Sequence, residues 1–207
     1  MLISILPAIG CLKIPFFKID SSNVLTNSSK DFLDFIQVSL SFFISMFLGI
    51  ESYVILGASI LWFGWFGFNG GSALAADDYA VNAMLVTQIA AATAATTWGL
   101  IGMLTTGKIS GVGVATGAVA GLVAITPAAG AVNPLGALAI GLGAGLICYY
   151  AVELIHKTNL DDALDVFAVH GVGGIWGCIA TGIFAVESVA GVKGLFEGNA
   201  SQVWIQF

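Results

Sequence analysis

Apolar runs close to the length of a membrane span recur along this chain and leave little between them. Five can be drawn, Tyr53–Leu74, Ala80–Leu104, Val112–Ile125, Pro134–Ile155 and Leu164–Val186, and a further run covers Phe32–Ile50. A helix needs about 20 predominantly apolar residues to cross a bilayer, and inside it every backbone amide must be satisfied by the helix itself. The breaks between the five runs, "AADDY", "TTGKISG", "TPAAGAVNP" and "HKTNLDD", are polar or helix-ending and too short to hold a soluble domain. Charged residues make up 9% of the 207 and apolar ones 58%, against about 25% charged in a soluble domain. The chain therefore reads as an all-α, polytopic helix bundle of five to six spans, multi-pass in the cell membrane, with the lipid bilayer as its solvent.

Several function classes fall away. The net charge of −6 has no basic cluster behind it, which argues against a nucleic-acid partner. No nucleophile stands beside a base, and no metal-ligand cluster or phosphate loop occurs, so the reading is a non-enzyme without metal or cofactor. Cys11, Cys148 and Cys178 are odd in number, and the last two lie in apolar stretches, as packing thiols do. The opening "MLISILPAIGCLKIPFF" interrupts its apolar stretch with Pro7 and Pro15 and lacks a positive n-region, unlike a cleavable signal. Glycosylation sequons at Asn27 and Asn199 are short enough to arise by chance.

Lysines orient the spans. Lys108 follows the second strong run and Lys157 the fourth, which places both on one side if the spans alternate, with Asp77 and Asp78 opposite. The positive-inside rule makes the lysine side cytoplasmic and leaves Gln202–Phe207 outside. The beginning of the chain fits this poorly. If Phe32–Ile50 spans, Glu51 and Ser52 alone separate it from the next helix, and Lys13, Lys18 and Lys30 fall outside, against the same rule. Residues 1–50 are accordingly set apart from a membrane domain over 51–207.

Small residues repeat at helical spacing: Gly113, Gly117 and Gly121, then Gly141 and Gly145, then Gly173, Gly177 and Thr181. Such faces let helices approach closely in lipid, where packing replaces the missing hydrophobic drive. Tight bundle packing accounts for nearly all of them, and five helices so packed make a scaffold able to surround a narrow pore.

Within that scaffold one histidine stands out. His170 lies in an apolar helix, just after Asp162 and Asp165 at its start. Ionisable groups inside membranes are costly and mark ion or proton paths by default. On α-helical spacing His170 shares a face with Phe167, Gly173, Gly174 and Gly177, which predicts an imidazole in a crowded interhelical space. A histidine merely satisfied by a neighbouring carbonyl or hydroxyl is the competing reading. Asp161 and Asp162 stand where carboxylates cap a helix N-terminus, and Asp165, one turn in, needs a donor. His156, beside Lys157, reads as interfacial.

A second constellation lies in "LWFGWFGFNGGS", where Trp65, Phe68 and Ser72 are spaced three and four apart on one face near the outer end. Aromatic faces hold a partly desolvated cation and a hydroxyl accepts its hydrogen bond. An interfacial aromatic belt is the equally available alternative.

The segments "GASILWFGWFGFNGGSALAAD", "AGLVAITPAAG", "DDALDVFAVHGVGGIWGCIATGIFA" and "GLFEGNASQVWIQ", in this order from Tyr53 to Gln206, resemble the ammonium transporter (Amt) family. The resemblance covers what looks like the second half of that fold. It implies eleven spans in two inverted five-helix repeats, assembled as a homotrimer with a separate pore for ammonium or ammonia in each subunit. Carried over, Trp65 is a pore-lining tryptophan, Phe68 one of two stacked rings at the outer mouth, and Ser72 the hydroxyl of an external ammonium site. Thr126 matches a threonine near the pore, His170 the second of two pore histidines, and Asp162 a structural carboxylate at the foot of that helix. Expected from the family but without a counterpart before Tyr53 are the other ring, a vestibule tryptophan and a first histidine after a "DFAGG" motif. Setting Asp31 and Phe32 on that motif puts Ser39 where the histidine belongs. The last span is also without a counterpart.

A physical mechanism follows. An ammonium ion is expensive to move through a dry, narrow pore, whereas ammonia is small and neutral. A neutral imidazole can exchange hydrogen bonds with ammonia and relay a proton, so His170 is the expected relay, with Ser72 and Trp65 recognising the cation outside. Two other readings stand beside transport. One is a non-conducting half-fold acting as an ammonium sensor or accessory subunit; the other is a truncated product without function.

Overall fold

The computed structural model describes the backbone of residues 28–158 and 160–207 and side chains from residue 49 onward. Cys11, Asn27, Pro7, Pro15, Lys13 and Lys18 lie outside the described residues, and so do the side chains of Lys30 and Ser39. The chain divides into two units, residues 1–46 and 47–207. In the order of the chain the long helices are α1 (Ser28–Gly71), α2 (Asp78–Thr106), α3 (Gly111–Ile125), α4 (Pro134–Ile155) and α5 (Val172–Phe184). Two short helices follow, α6 (Glu187–Ala190) and α7 (Ser201–Gln206). No strand occurs among the described residues.

Five segments among the described residues are long and apolar enough to cross a membrane: Gly49–Gly71, Asp78–Thr106, Gly111–Ala128, Pro134–Ile155 and Phe167–Phe184. The all-α polytopic bundle expected from the apolar runs is the one observed. Glu51 and Ser52 belong to α1 rather than to a turn. Neither is proline or glycine, and a two-residue link is the shortest that can join antiparallel helices.

Polar residues in the breaks start the helices where the expected spans begin. Asp77 accepts from the Ala80 N–H at 3.1 Å, Ser110 from Gly113 at 3.2 Å and Asn133 from Gly136 at 2.9 Å. Each occupies one of the free N–H groups that open a helix, and Pro134, which has no N–H to leave unpaired, takes the first turn of α4. Gly107 ends α2 in the left-handed conformation, at φ 73°.

The core is a close stack of α2, α3 and α4. A Cβ on Gly121 would come within 2.5 Å of the Ala90 carbonyl oxygen, and one on Gly141 equally close to the same atom. Two helices thus use missing side chains to seat on the same turn of α2, where Ala90, Ala91 and Ala94 are fully buried. Gly177 brings α5 onto the Ala124 backbone in the same manner. At the C-terminal end of α1, Asn69 donates to Thr87 at 2.9 Å, a buried polar pair that ties α1 to α2.

Candidate functional site

At the C-terminal end of α1, Trp65 is partly buried and donates its indole N–H to Thr126 Oγ1 at 2.8 Å. The Thr126 hydroxyl in turn donates to the Leu122 carbonyl at 2.8 Å, so its hydrogen is used and its lone pair holds the indole. Thr126 opens a 3-10 turn, Thr126–Ala128, that closes α3, and Pro127 in that turn stops the α-helix there. Residues 61 positions apart are joined in this way.

Phe68 lies edge-on to Trp65, ring centroids 5.6 Å apart at 65°, and its ring is 61% exposed. Ser72 is exposed and donates to the Phe68 carbonyl at 2.8 Å. That bond consumes the hydroxyl's hydrogen and leaves its lone pairs outward, so toward a ligand Ser72 is an acceptor. The arrangement suits a donor cation: two aromatic rings and an acceptor oxygen on one helix end.

His170 stands elsewhere, in a five-residue π-turn, Phe167–Gly171, that precedes α5. Here the structure corrects the α-helical expectation. Gly173 and Gly177 are buried, against Cys148 and Val123 and against Ala124, while His170 is exposed. His170 keeps the open side with Phe167, which is exposed, and Gly174, beside which nothing packs, while Gly173 and Gly177 turn into the bundle, in a π-turn that places one more residue in its turn than an α-helix does. The imidazole lines a groove of about 300 Å³ together with Val54, Gly57, Ala58 and Leu61 of α1 and Thr116 of α3. No Asp, Glu, Lys or Arg lines the groove, and the His170 ring has no hydrogen-bond partner among the described residues.

The carboxylates shape the turn that carries it. Asp162 accepts from the Phe167 N–H at 3.0 Å and from Ala168 at 3.1 Å, capping the π-turn from five residues back. Partial desolvation works against its charged form. The N–H groups of Phe167, Ala168 and Val166 and the nearby His156 outweigh that and hold the carboxyl below its ordinary value. Asp165 is not one turn into the helix, as the spacing predicts, but just ahead of it, with φ at 54° in the left-handed region. Its Oδ1 meets His156 Nε2 at 2.8 Å. Asp161 is exposed.

The structure therefore brings Trp65, Phe68, Ser72 and Thr126 together at one end of α1 and places His170 beside an earlier part of the same helix. From Leu61 to Ser72 the axis rises about 16 Å at roughly 1.5 Å per residue. Spacing signals the first group except for Thr126, whose contact crosses between helices and leaves no local pattern. Likewise His156 is interfacial in sequence terms, and nothing in its own neighbourhood signals Asp165 as its partner.

The model of the Ammonium Transporter Family matches residues 50–207. Over 145 residues the chain is 53% identical to Ammonium transporter Amt1 of Archaeoglobus fulgidus, covering 70% of this chain and 37% of that one. The crystal structure of Saccharomyces cerevisiae Mep2 superposes with a TM-score of 0.72 at 42% identity, covering 75% of this chain and 36% of that one. A structure described as a sensor Amt protein superposes at 0.67 and 39% identity, over 73% of this chain and 37% of that one. The chain spans a little over a third of the length of each of these proteins.

Proposed function

The chain belongs to the ammonium transporter family, and from that premise we propose that it forms one wall of an ammonium path across the membrane. It is a multi-pass membrane protein. Trp65, Phe68 and Ser72, with Thr126 holding the indole, recognise the cation at one end. His170 meets the deprotonated species further along, in a groove without charged side chains. What supports the reading above all is that one helix, α1, carries both aromatic rings, leads directly into Ser72 and lines the His170 groove.

The chemistry then follows from cost. Ammonium binds where rings and an acceptor oxygen replace part of its hydration. Ammonium gives its proton to water at the entrance, ammonia alone proceeds through the apolar groove, and a neutral imidazole there donates a hydrogen bond to it or accepts one from it. Selectivity comes from dehydration and width rather than from a ring of charge. Asp162 and Asp165 shape the backbone that presents His170. The reading is one of transport rather than catalysis, with 1–50 lying outside the transporter-like domain. Assembly as a homotrimer belongs to it and rests on the family alone.

Grafting this chain's 51–207 onto the first half of a working family member tests the roles. Ser72→Ala is expected to weaken ammonium recognition by about 1.5–3 kcal/mol, the worth of a hydrogen bond to a charged group, with membrane insertion intact. His170→Ala is expected to impair flux or change which species carries charge. Uptake with unchanged concentration dependence in the first variant, and wild-type flux and current in the second, would remove those residues from the path. A second reading, a sensor or accessory subunit that does not conduct, is favoured by the likeness to the sensor Amt protein. Co-purification with a full-length relative, without any change in that relative's flux, would support it.

A further inference from the structure

The geometry points to His156 as a positioning residue that acts through Asp165 on the turn carrying His170. The inference rests on the reading of His170 given above for its consequence in transport, though not for its geometry.

His156 follows the last residue of α4, and its Nε2 lies 2.8 Å from Asp165 Oδ1, across the connection between α4 and the π-turn. Asp165 is one of two residues other than glycine among those described that hold a positive φ. Left-handed backbone is disfavoured for a residue with a Cβ and persists where surrounding contacts fix it. Asp165 has such contacts on three sides: its N–H donates to the Asp162 carbonyl at 2.9 Å, its carbonyl accepts from Val169 N–H at 2.9 Å, and its carboxylate meets His156. Val169 is buried and immediately precedes His170.

A single residue thus joins the side chain of His156 to the backbone amide next to the candidate imidazole. Asp162 caps Phe167 and Ala168 from the other side of the same loop, which fixes the start of the turn but leaves its angle to Asp165. His156 holds that angle by its hydrogen bond, so a neutral donor in its place suffices.

The chain contains two histidines, which makes the test direct. In the full chain with isotopically labelled histidine, His156→Gln leaves His170 as the sole labelled ring and supplies a neutral amide donor at the position of Nε2. The His170 ring resonance is expected at its wild-type position in His156→Gln. It is expected to be displaced by more than its line width in His156→Ala, and displaced likewise when Asp165→Gly is added to His156→Gln. Glycine carries no penalty for the left-handed conformation and is equally free to leave it, so this second variant removes the carboxylate's hold on the turn without straining the fold, and it decides the matter if His156→Ala does not fold. A His170 signal unmoved in both, or displaced by His156→Gln as far as by His156→Ala, overturns the inference. If the spectra move as expected while His170→Ala in the grafted transporter keeps wild-type flux, the positioning stands and the transport role of His170 falls.

Discussion

The helix that carries most of the candidate site is the least buried of the spans, whereas α2 and α4, which carry none of it, are half buried. None of the most apolar stretch of Gly49–Gly71 is buried, whereas 50% of the corresponding stretch is buried in Asp78–Thr106 and likewise 50% in Pro134–Ile155. Side chains from α2 to α4 meet through alanine and glycine at backbone distance, as at Ala90 with Gly121 and Gly141. By contrast α1 is held at a few points: Ile55 against Gly111, Trp65 to Thr126, Asn69 to Thr87, and Gly70 against Met84. Close packing and most of the candidate site therefore fall on different helices. Close packing fixes α2–α4 as a frame, while α1 leaves Tyr53, Phe63 and Phe68 turned outward.

Glycine substitutions offer the strongest way to break that comparison. Gly141→Leu forces a side chain into the Ala90 backbone and is expected to cost about 3 kcal/mol or more, the upper range for overpacking, or to prevent folding. Gly64→Leu on α1, where nothing lies within 4 Å, is expected to stay within about 0.5 kcal/mol. Thermal unfolding of both variants in detergent measures the difference, and equal losses would erase the distinction between frame and presented helix.

A smaller effect is expected at the anchor between them. Trp65→Phe keeps a ring beside Phe68 and removes the N–H that Thr126 accepts. The loss is expected to be about 1 kcal/mol, that of one hydrogen bond, since Thr126 keeps its own bond to Leu122. The same unfolding measurement checks it.

The frame was largely legible in the sequence, and the presentation of the site was only partly so. Hydropathy and the breaks at Asp77, Ser110 and Asn133 mark the spans because capping chemistry is local. The face shared by Trp65, Phe68 and Ser72 follows from spacing in a regular helix. Spacing holds only in part at His170, where a π-turn changes the winding without any compositional sign: Phe167 and Gly174 stay on its open side, while Gly173 and Gly177 face the bundle. It fails at Trp65 and Thr126, or His156 and Asp165, because periodicity tells which face a residue occupies and not what comes to meet it.

The mildest expected effect concerns pH at the loop between α4 and the π-turn. Asp162 has its carboxyl held below the ordinary value, so the folded state favours its charged form. Its contribution is fully present above the ordinary carboxylate pKa and is lost as pH falls through the lowered folded value. Asp162→Asn is expected to flatten this acid limb of the stability profile while leaving the neutral limb's shape unchanged. A parallel profile in the variant would remove Asp162 from the account.

The central claim is that α1 and the π-turn present one wall of a path, which needs a facing wall to conduct. Purified chain in liposomes tests this most directly. With Phe68 61% exposed and His170 in an open groove, the account predicts no saturable ammonium uptake from the 207-residue chain by itself. Saturable uptake that His170→Ala abolishes would contradict it and show that this wall conducts unaided.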